Sequence, residues 1–347
     1  MRFDALGDFV LFCDAARHYR TIYKDYHLTL LCHPICAKLA ADTGYFNEIL
    51  TFDRKKFMLN PVYRYKSWKL LLSQSYDTVI YTAFSHEFAT GALIIAKVKA
   101  YEKIGAYSDY AIDHKIWVNI SQKWFTRLHS IKGSDVMHEL YKNAALVSQI
   151  ANIEIIPSLP MLNINEVGDS KMDMPDKYYV IFPGARVGIR AWAAANYAKL
   201  SEYIYEHTQL VGVICGSTSE KDISDAIISQ SKAKIINMCG KTDVPELMSV
   251  IKSAKLLVGN ETSGVHIAAC AGTPSVCILG GGHFNRFVPY PTDLQGNTIS
   301  IPTPVYEHMP CYGCNWNCIY QISKSTPVPC ISAVSVDKVW HAVQKYL

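Results

Sequence analysis

The sequence predicts an α/β protein made of two successive parallel-sheet domains. Three observations carry this prediction. Short apolar runs alternate with helix-period segments along nearly all of the 347 residues. A proline-bearing polar stretch at 157–175 interrupts the alternation near the middle and reads as a linker. The length exceeds what one typical core organises. The expected boundaries are a first domain over 1–158 and a second over 159–330. A C-terminal helix within 331–347 is expected to pack back on the first domain.

The elements follow in order. Only residues 1–3 precede the Gly7-Asp8 turn, so the first strand is expected to be clipped or very brief. A helix period then runs over 8–23, and the apolar run 28–32 reads as a strand. A short helix follows Pro34 to residue 41, then a strand at 48–52. Residues 53–67 break the pattern and read as a loop-rich insertion. The strand 78–83, the helix 88–100, the short strand 103–106 and the helix 137–151 complete the first half. The second half has apolar strands at 178–182, 211–215, 235–238, 256–258 and 275–279. Helices at 196–206, 219–229, 244–254 and 263–271 connect them, and a helix over 336–346 ends the chain. No repeat or low-complexity tract is visible.

Composition narrows the function classes. Half of the residues are apolar and 18% are charged, which suits a globular protein. No apolar run reaches the ~18–20 residues of a membrane span. The first residues lack the regions of a secretory signal, so a cytoplasmic protein is expected. Cys13, Cys32, Cys215, Cys239, Cys270 and Cys277 sit in apolar segments and read as buried thiols. Residues 1–165 hold 19 Lys and Arg against 15 Asp and Glu, whereas the remainder is balanced. Within that half, Phe57, Met58, Tyr63, Arg64, Tyr65, Lys66, Trp68 and Lys69 form a basic and aromatic patch. It suits an anionic membrane surface or an acidic acceptor, and a merely solvated face explains it equally well. No nucleic-acid-binding motif accompanies the charge.

The stretch 256–274, LLVGNETSGVHIAACAGTP, carries the most chemistry. An apolar strand runs into a polar turn and then a helix of small residues. The first N–H groups of such a helix lack intrahelical acceptors, and with the helix dipole they favour a phosphate. Gly264 keeps the helix slim. Thr262, Ser263 and His266 add donors, and Glu261 adds an acceptor. An ordinary helix cap would use the same Ser and Thr. Pro183-Gly184-Ala185-Arg186, then Arg190 and Trp192, follow another strand. The glycine admits a ligand close to the backbone, and two arginines can neutralise a diphosphate. Glu220, after the strand at 211–215, could accept from ribose hydroxyls, or cap the helix that begins there. Gly280-Gly281-Gly282 lets the chain turn sharply, with Arg286 beyond for an anionic group. Asp8 would sit at a helix N-terminus, where the dipole favours its ionised form. Such a carboxylate can take a proton from a hydroxyl, or serve as a plain N-cap. All these loops follow strand ends, where open α/β sheets bind ligands, and two such domains imply a shared cleft.

In order and spacing, RFDALGD, FPGARVGIRAW and GNETSGVHIAACAGTPSV resemble glycosyltransferase family 9, the lipopolysaccharide heptosyltransferases, over nearly the whole chain. The resemblance implies a GT-B fold, with two Rossmann-like domains facing a central cleft. It implies an inverting enzyme that moves a heptose from an ADP-linked donor to a lipid-linked saccharide, with no cofactor required for catalysis. By position, Asp8 matches the family's catalytic aspartate. Arg190 falls where a lysine often contacts the donor diphosphate, and Glu220 falls near the ribose-binding acid. Thr262, Ser263 and His266 match the donor loop. Glu261 departs from the usual aspartate, Ser263 from glycine and Ala193 from proline, which leaves the sugar open. Other nucleotide sugars, an epimerase or a non-catalytic binding protein are the alternatives. Cys311, Cys314, Cys318 and Cys330 lie in a segment that recurs in parts of the family. Four thiolates could make a structural zinc site, although the second and third gaps are less typical. Packing thiols are the other reading.

Overall fold

The computed structural model describes residues 1–108, 113–133, 137–164, 172–185, 188–294, 300–322 and 326–347. The chain divides into two compact units, Met1–Pro157 and Ser158–Leu347.

In the first unit, α1 (Leu6–Ile22) packs on α7 (Glu139–Ala151). Strand β1 (Thr29–Cys32) pairs in parallel with β2 (Glu48–Thr51). Strands β3 (Ser75–Tyr81), β4 (Lys99–Ala106) and β5 (Arg127–His129) form a second parallel set. Residues 1–3 join the two sets. Arg2 bridges Cys32 in parallel, its N–H donates to the Leu31 carbonyl at 2.9 Å, and Thr82 N–H donates to the Met1 carbonyl at 3.2 Å. The first strand is therefore present as a single bridge at the centre of the sheet. Phe3, buried there, packs on Phe52 and Tyr81.

The region 53–67 differs from the expected loop. It folds as α3 (Arg54–Leu59) and α4 (Pro61–Leu72), between β2 and β3. Asp53 caps α3 by accepting from Lys56 N–H, and Asn60 caps α4 by accepting from Tyr63 N–H. Pro61 then occupies the first helical position, where its missing N–H costs nothing. Helix period is blurred here because apolar residues lie on every side of α4, and only Leu71 of that helix is fully buried. A π-helical turn (Phe88–Ala92) leads into α5 (Leu93–Lys97). Helix α6 (Lys115–Gln122) and strand β5 were not expected from the sequence.

The second unit holds one six-stranded parallel sheet. Its strands are β6 (Tyr178–Phe182), β7 (Val211–Ile214), β8 (Ile235–Asn237), β9 (Leu257–Asn260), β10 (Ser275–Ile278) and β11 (Thr303–Val305), in the order β11-β10-β9-β6-β7-β8. Every residue of β6, β7, β9 and β10 is buried, as continuous apolar runs in parallel sheets require. Helices α8 (Ala194–Thr208), α9 (Lys221–Gln230), α10 (Val244–Ser253) and α11 (Ser263–Ala271) connect the strands. After the brief α12 (Pro329–Ser332), α13 (Val336–Val343) packs on α8, β10 and β11. Val339 and Val343 sit in the same core as Trp192 and Tyr197. The terminal helix is thus built into the second unit. Lys252 Nζ donates to the Ile164 carbonyl at 2.6 Å, which ties part of the presumed linker to α10.

Candidate donor-binding site

Strand order places the site. β6 starts the second unit, β7 lies on one side of it and β9 on the other. The connections leave in opposite directions at β6 and β9, and open α/β sheets bind ligands outside the carboxyl ends of the strands at such a switch point. The loop after β6 begins Pro183-Gly184-Ala185, and α11 begins just after β9.

Asn260, the last residue of β9, knits these loops together. Its Nδ2 donates to the Pro183 carbonyl at 2.7 Å and the Gly184 carbonyl at 3.3 Å. Its Oδ1 accepts from Trp192 N–H at 3.0 Å. Trp192 in turn donates from Nε1 to the Val334 carbonyl at 2.8 Å. Asn260 is buried, so removing its side chain leaves backbone groups without partners. Asn260→Ala is expected to lower stability by about 2–4 kcal/mol and to weaken donor binding at the same time. Denaturant unfolding with donor titration checks this. Unchanged stability and affinity would show that the loops hold without it.

Thr262 is the N-cap of α11, yet its side chain makes no capping hydrogen bond. Its hydroxyl turns back toward the Asn260 carbonyl at 3.4 Å. α10 contrasts with this, since Asp243 accepts from Glu246 N–H there in a capping box. The Thr262 side chain therefore leaves the first-turn N–H groups of α11 to other acceptors. Gly264 brings that turn against the end of β6, because a Cβ there would lie 2.7 Å from the Phe182 ring. Ser263 and Glu261 are half-buried beside it.

Glu220 borders the same loops. A Cβ on Gly184 would lie 2.9 Å from Glu220 Cγ. The carboxylate accepts from Ser217 N–H at 2.7 Å and from the Ser217 hydroxyl at 2.6 Å, forming a capping box. Glu220 therefore takes the capping role and stands next to the Gly184 loop. His266 is buried. Its Nδ1 lies 2.7 Å from the Tyr290 hydroxyl, and the two rings stack. Burial, with Cys270 and Cys277 nearby, holds the Tyr290 phenol well above its ordinary range, so the hydroxyl keeps its proton.

Arg190 lies on a short 3-10 turn (Gly188–Arg190), and its guanidinium sits 4.3 Å from the centre of the Trp316 ring. Trp316 was not singled out from the sequence. It comes from the cysteine-bearing segment, which lies against the three glycines after β10. Asn315 N–H donates to the Gly282 carbonyl and Gly313 N–H to the Gly281 carbonyl. A Cβ on Gly282 would come within 2.3 Å of the Trp316 ring, and one on Gly281 within 2.2 Å of Tyr312. The chain bends at Gly281 and turns from Gly282, and the close approach of aromatic rings requires glycine at both. Arg286 lies over the Phe287 ring at 5.1 Å. Arg186 falls outside the described residues.

Cys311, Cys314, Cys318 and Cys330 line one small cavity of about 10 Å³ with Trp316. Burial pushes the Cys330 thiol up, while Gly281 N–H donates to its sulfur at 3.4 Å. Among the described residues, no group of three or more His, Cys, Asp or Glu is placed to hold a metal ion.

Asp8 belongs to the first unit. It is the third residue of α1, whose N-cap is Ala5, so it is not the N-cap aspartate. Arg2 stands behind it. The Arg2 guanidinium meets Asp4 at 2.7 Å, donates to the Thr82 carbonyl and to Asn143, and lies over the Phe12 ring. Burial alone would lower its pKa, but Asp4, Glu139 and Asp8 outweigh that and hold it above the ordinary range. The loop leading to Asp8 is thereby pinned by a buried cation.

Comparison with known proteins agrees with this architecture. The family model for glycosyltransferase family 9 (heptosyltransferase) matches residues 64–311. Lipopolysaccharide heptosyltransferase 3 of Escherichia coli K12 is 23% identical over 318 residues, covering 86% of this chain and 87% of that protein. The structure of E. coli ADP-heptose LPS heptosyltransferase II superposes with a TM-score of 0.72 at 14% identity, over 99% of this chain and 97% of that one. E. coli heptosyltransferase WaaC with ADP-2-deoxy-2-fluoro heptose gives a TM-score of 0.66 at 13% identity, with both chains fully covered. Two Rossmann-like units of the GT-B type account for these matches. No helix among the described residues is long and apolar enough to cross a membrane.

Proposed function

The chain belongs to glycosyltransferase family 9, and on that premise we propose that it transfers a heptose from ADP-heptose to a lipid-linked saccharide of the lipopolysaccharide core, with inversion. The observation that carries this reading is the uncapped first turn of α11 beside the Gly184 loop at the switch point of the second sheet. That arrangement suits a diphosphate. ADP-heptose is favoured as donor by the likeness to a heptosyltransferase bound to an ADP-heptose analogue and by the relative named lipopolysaccharide heptosyltransferase 3.

In this reaction the acceptor hydroxyl gives its proton to the Asp8 carboxylate. Its oxygen attacks the anomeric carbon from the face opposite the diphosphate. The bond from that carbon to the diphosphate oxygen breaks, and ADP departs. The N–H groups at Ser263 and Gly264, with Arg190 and Arg186, meet the charge that grows on the leaving group. Ala185 and Gly184 let the diphosphate lie against the backbone. Glu220 takes the ribose hydroxyls, its rotamer fixed by the capping box. Thr262 and Glu261 face the sugar, and His266 supports the turn through Tyr290. The acceptor is reached from the cytoplasmic side of the membrane.

A thermal-shift screen of ADP-, UDP-, GDP- and CDP-sugars tests the donor. A ligand that binds only the native state at 100 times its Kd adds about 2.7 kcal/mol. ADP-linked sugars are expected to raise the melting temperature by several degrees and the others by little. A shift confined to a uridine or guanosine donor would contradict the reading. Because helix N–H groups and arginines meet the leaving charge, turnover in EDTA is expected to stay within about twofold of the untreated rate. A strict requirement for added Mg²⁺ would contradict that division of labour.

A further inference from the structure

We propose that α3 and α4 form a docking surface for an anionic lipid bilayer. Residues 54–72 contain six Lys and Arg and no Asp or Glu. Arg54 meets Glu87 and Lys56 meets Asp53. Lys55, Arg64, Lys66 and Lys69 have no carboxylate partner among the described residues. Such a surface carries an uncompensated positive charge.

Apolar side chains stand among these cations. Leu59 is 72% exposed, Val62 63% and Tyr65 70%. Met58, Leu70 and Leu72 are exposed as well. The helices are nonetheless firmly seated. Phe57 and Leu71 are buried in the core of the first unit, and Trp68 packs edge-on against Phe57 at 5.4 Å. The exposed residues are therefore a second, outward set that the core does not use. Helix α6 adds to them. It packs on the π-helical turn that α3 also touches, and it exposes Ile116, Trp117 and Ile120. Trp117 is anchored by Phe88, with ring centres 4.8 Å apart.

The mixture of side chains selects the occupant. Interfacial helices combine Lys and Arg with Leu, Trp and Tyr, so that the cations meet headgroups while apolar side chains enter the acyl boundary. Protein interfaces are depleted in Lys at their cores. A soluble acidic saccharide would use the cations but give Leu59 and Val62 nothing to bury against. The bilayer uses both sets.

Vesicle flotation of the full chain tests the proposal and reads partition rather than turnover, so it fails separately from the glycosyl-transfer reading. The probes are vesicles of phosphatidylethanolamine with roughly a quarter phosphatidylglycerol, and vesicles of phosphatidylcholine alone. The protein is expected to float with the anionic vesicles and not with the zwitterionic ones. Each cation near an anionic leaflet strengthens partition about fivefold. The triple variant Lys55→Glu, Lys66→Glu, Lys69→Glu should therefore bind more than tenfold more weakly. The triple variant Leu59→Ser, Val62→Ser, Tyr65→Ser should lose about tenfold or more with the charges intact. Both variants change exposed side chains, and an unchanged melting temperature confirms their folding. No flotation of the parent chain, or flotation unaffected by either variant, overturns the proposal. Loss with the lysine variant alone overturns it too, because the surface would then be a site for soluble polyanions.

Discussion

Asp8→Asn is expected to lower the rate of heptose transfer by roughly 10²- to 10⁴-fold, the usual contribution of a positioned general base. Donor affinity should stay within about twofold, because Asp8 is assigned no contact with ADP. The substitution is nearly isosteric and removes the ability to accept the proton, together with one of the three carboxylate charges that hold Arg2 above its ordinary range. Its position supports a clean result. Asp8 lies in the first turn of a long helix whose following residues, Phe9 to Phe12, are all buried. The preceding loop is held by Arg2 through Asp4, Thr82 and Asn143. An amide at Asp8 leaves those contacts in place. Steady-state kinetics with ADP-heptose, alongside calorimetric titration of the donor, checks both halves. Near-normal turnover would remove Asp8 from the reaction. Lost donor binding would instead mark it as a donor contact.

Arg190→Ala is expected to weaken ADP binding by about 10- to 150-fold, the cost of a charge-assisted hydrogen bond worth about 1.5–3 kcal/mol. Trp316→Ala should give a smaller loss of the same kind, about 2- to 30-fold, because the indole holds the guanidinium in place. The two effects should not add. A double variant that resembles Arg190→Ala alone would show that Trp316 acts through the arginine. The loss should be large for ADP and absent for adenosine, since only the diphosphate is charged. Calorimetric titration of both ligands with the three variants reads this. Equal losses for ADP and adenosine would place Arg190 away from the diphosphate.

Local sequence made some features plain and hid others for physical reasons. β6 and α11 were legible to the residue, because a fully buried parallel strand is a short apolar run and a small-residue helix ends at Gly272. The loops after the strands were legible for the same reason. α3 and α4 were missed, although Asp53 and the Asn60-Pro61 pair are readable caps. Their exposed apolar residues erased the helical period, and those residues now define the outward surface. β5 and β11 have three residues each and owe their pairing to neighbouring strands, which no local pattern encodes. The Ser217-x-x-Glu220 capping box could have been read from its spacing. The partners of the two other key side chains could not. Tyr290 meets His266 from 24 residues away, and Trp316 reaches Arg190 across more than a hundred residues. Asn260 was passed over because its three partners lie on one connection, 68 to 77 residues earlier in the chain.

Amide hydrogen exchange with and without saturating ADP-heptose tests the central claim most directly. If the first turn of α11 and the Gly184–Trp192 loop hold the diphosphate, the N–H groups of Ser263, Gly264 and Val265 will exchange more slowly in the complex, together with those of that loop. Donor that binds at saturation while these amides exchange as before would contradict the account.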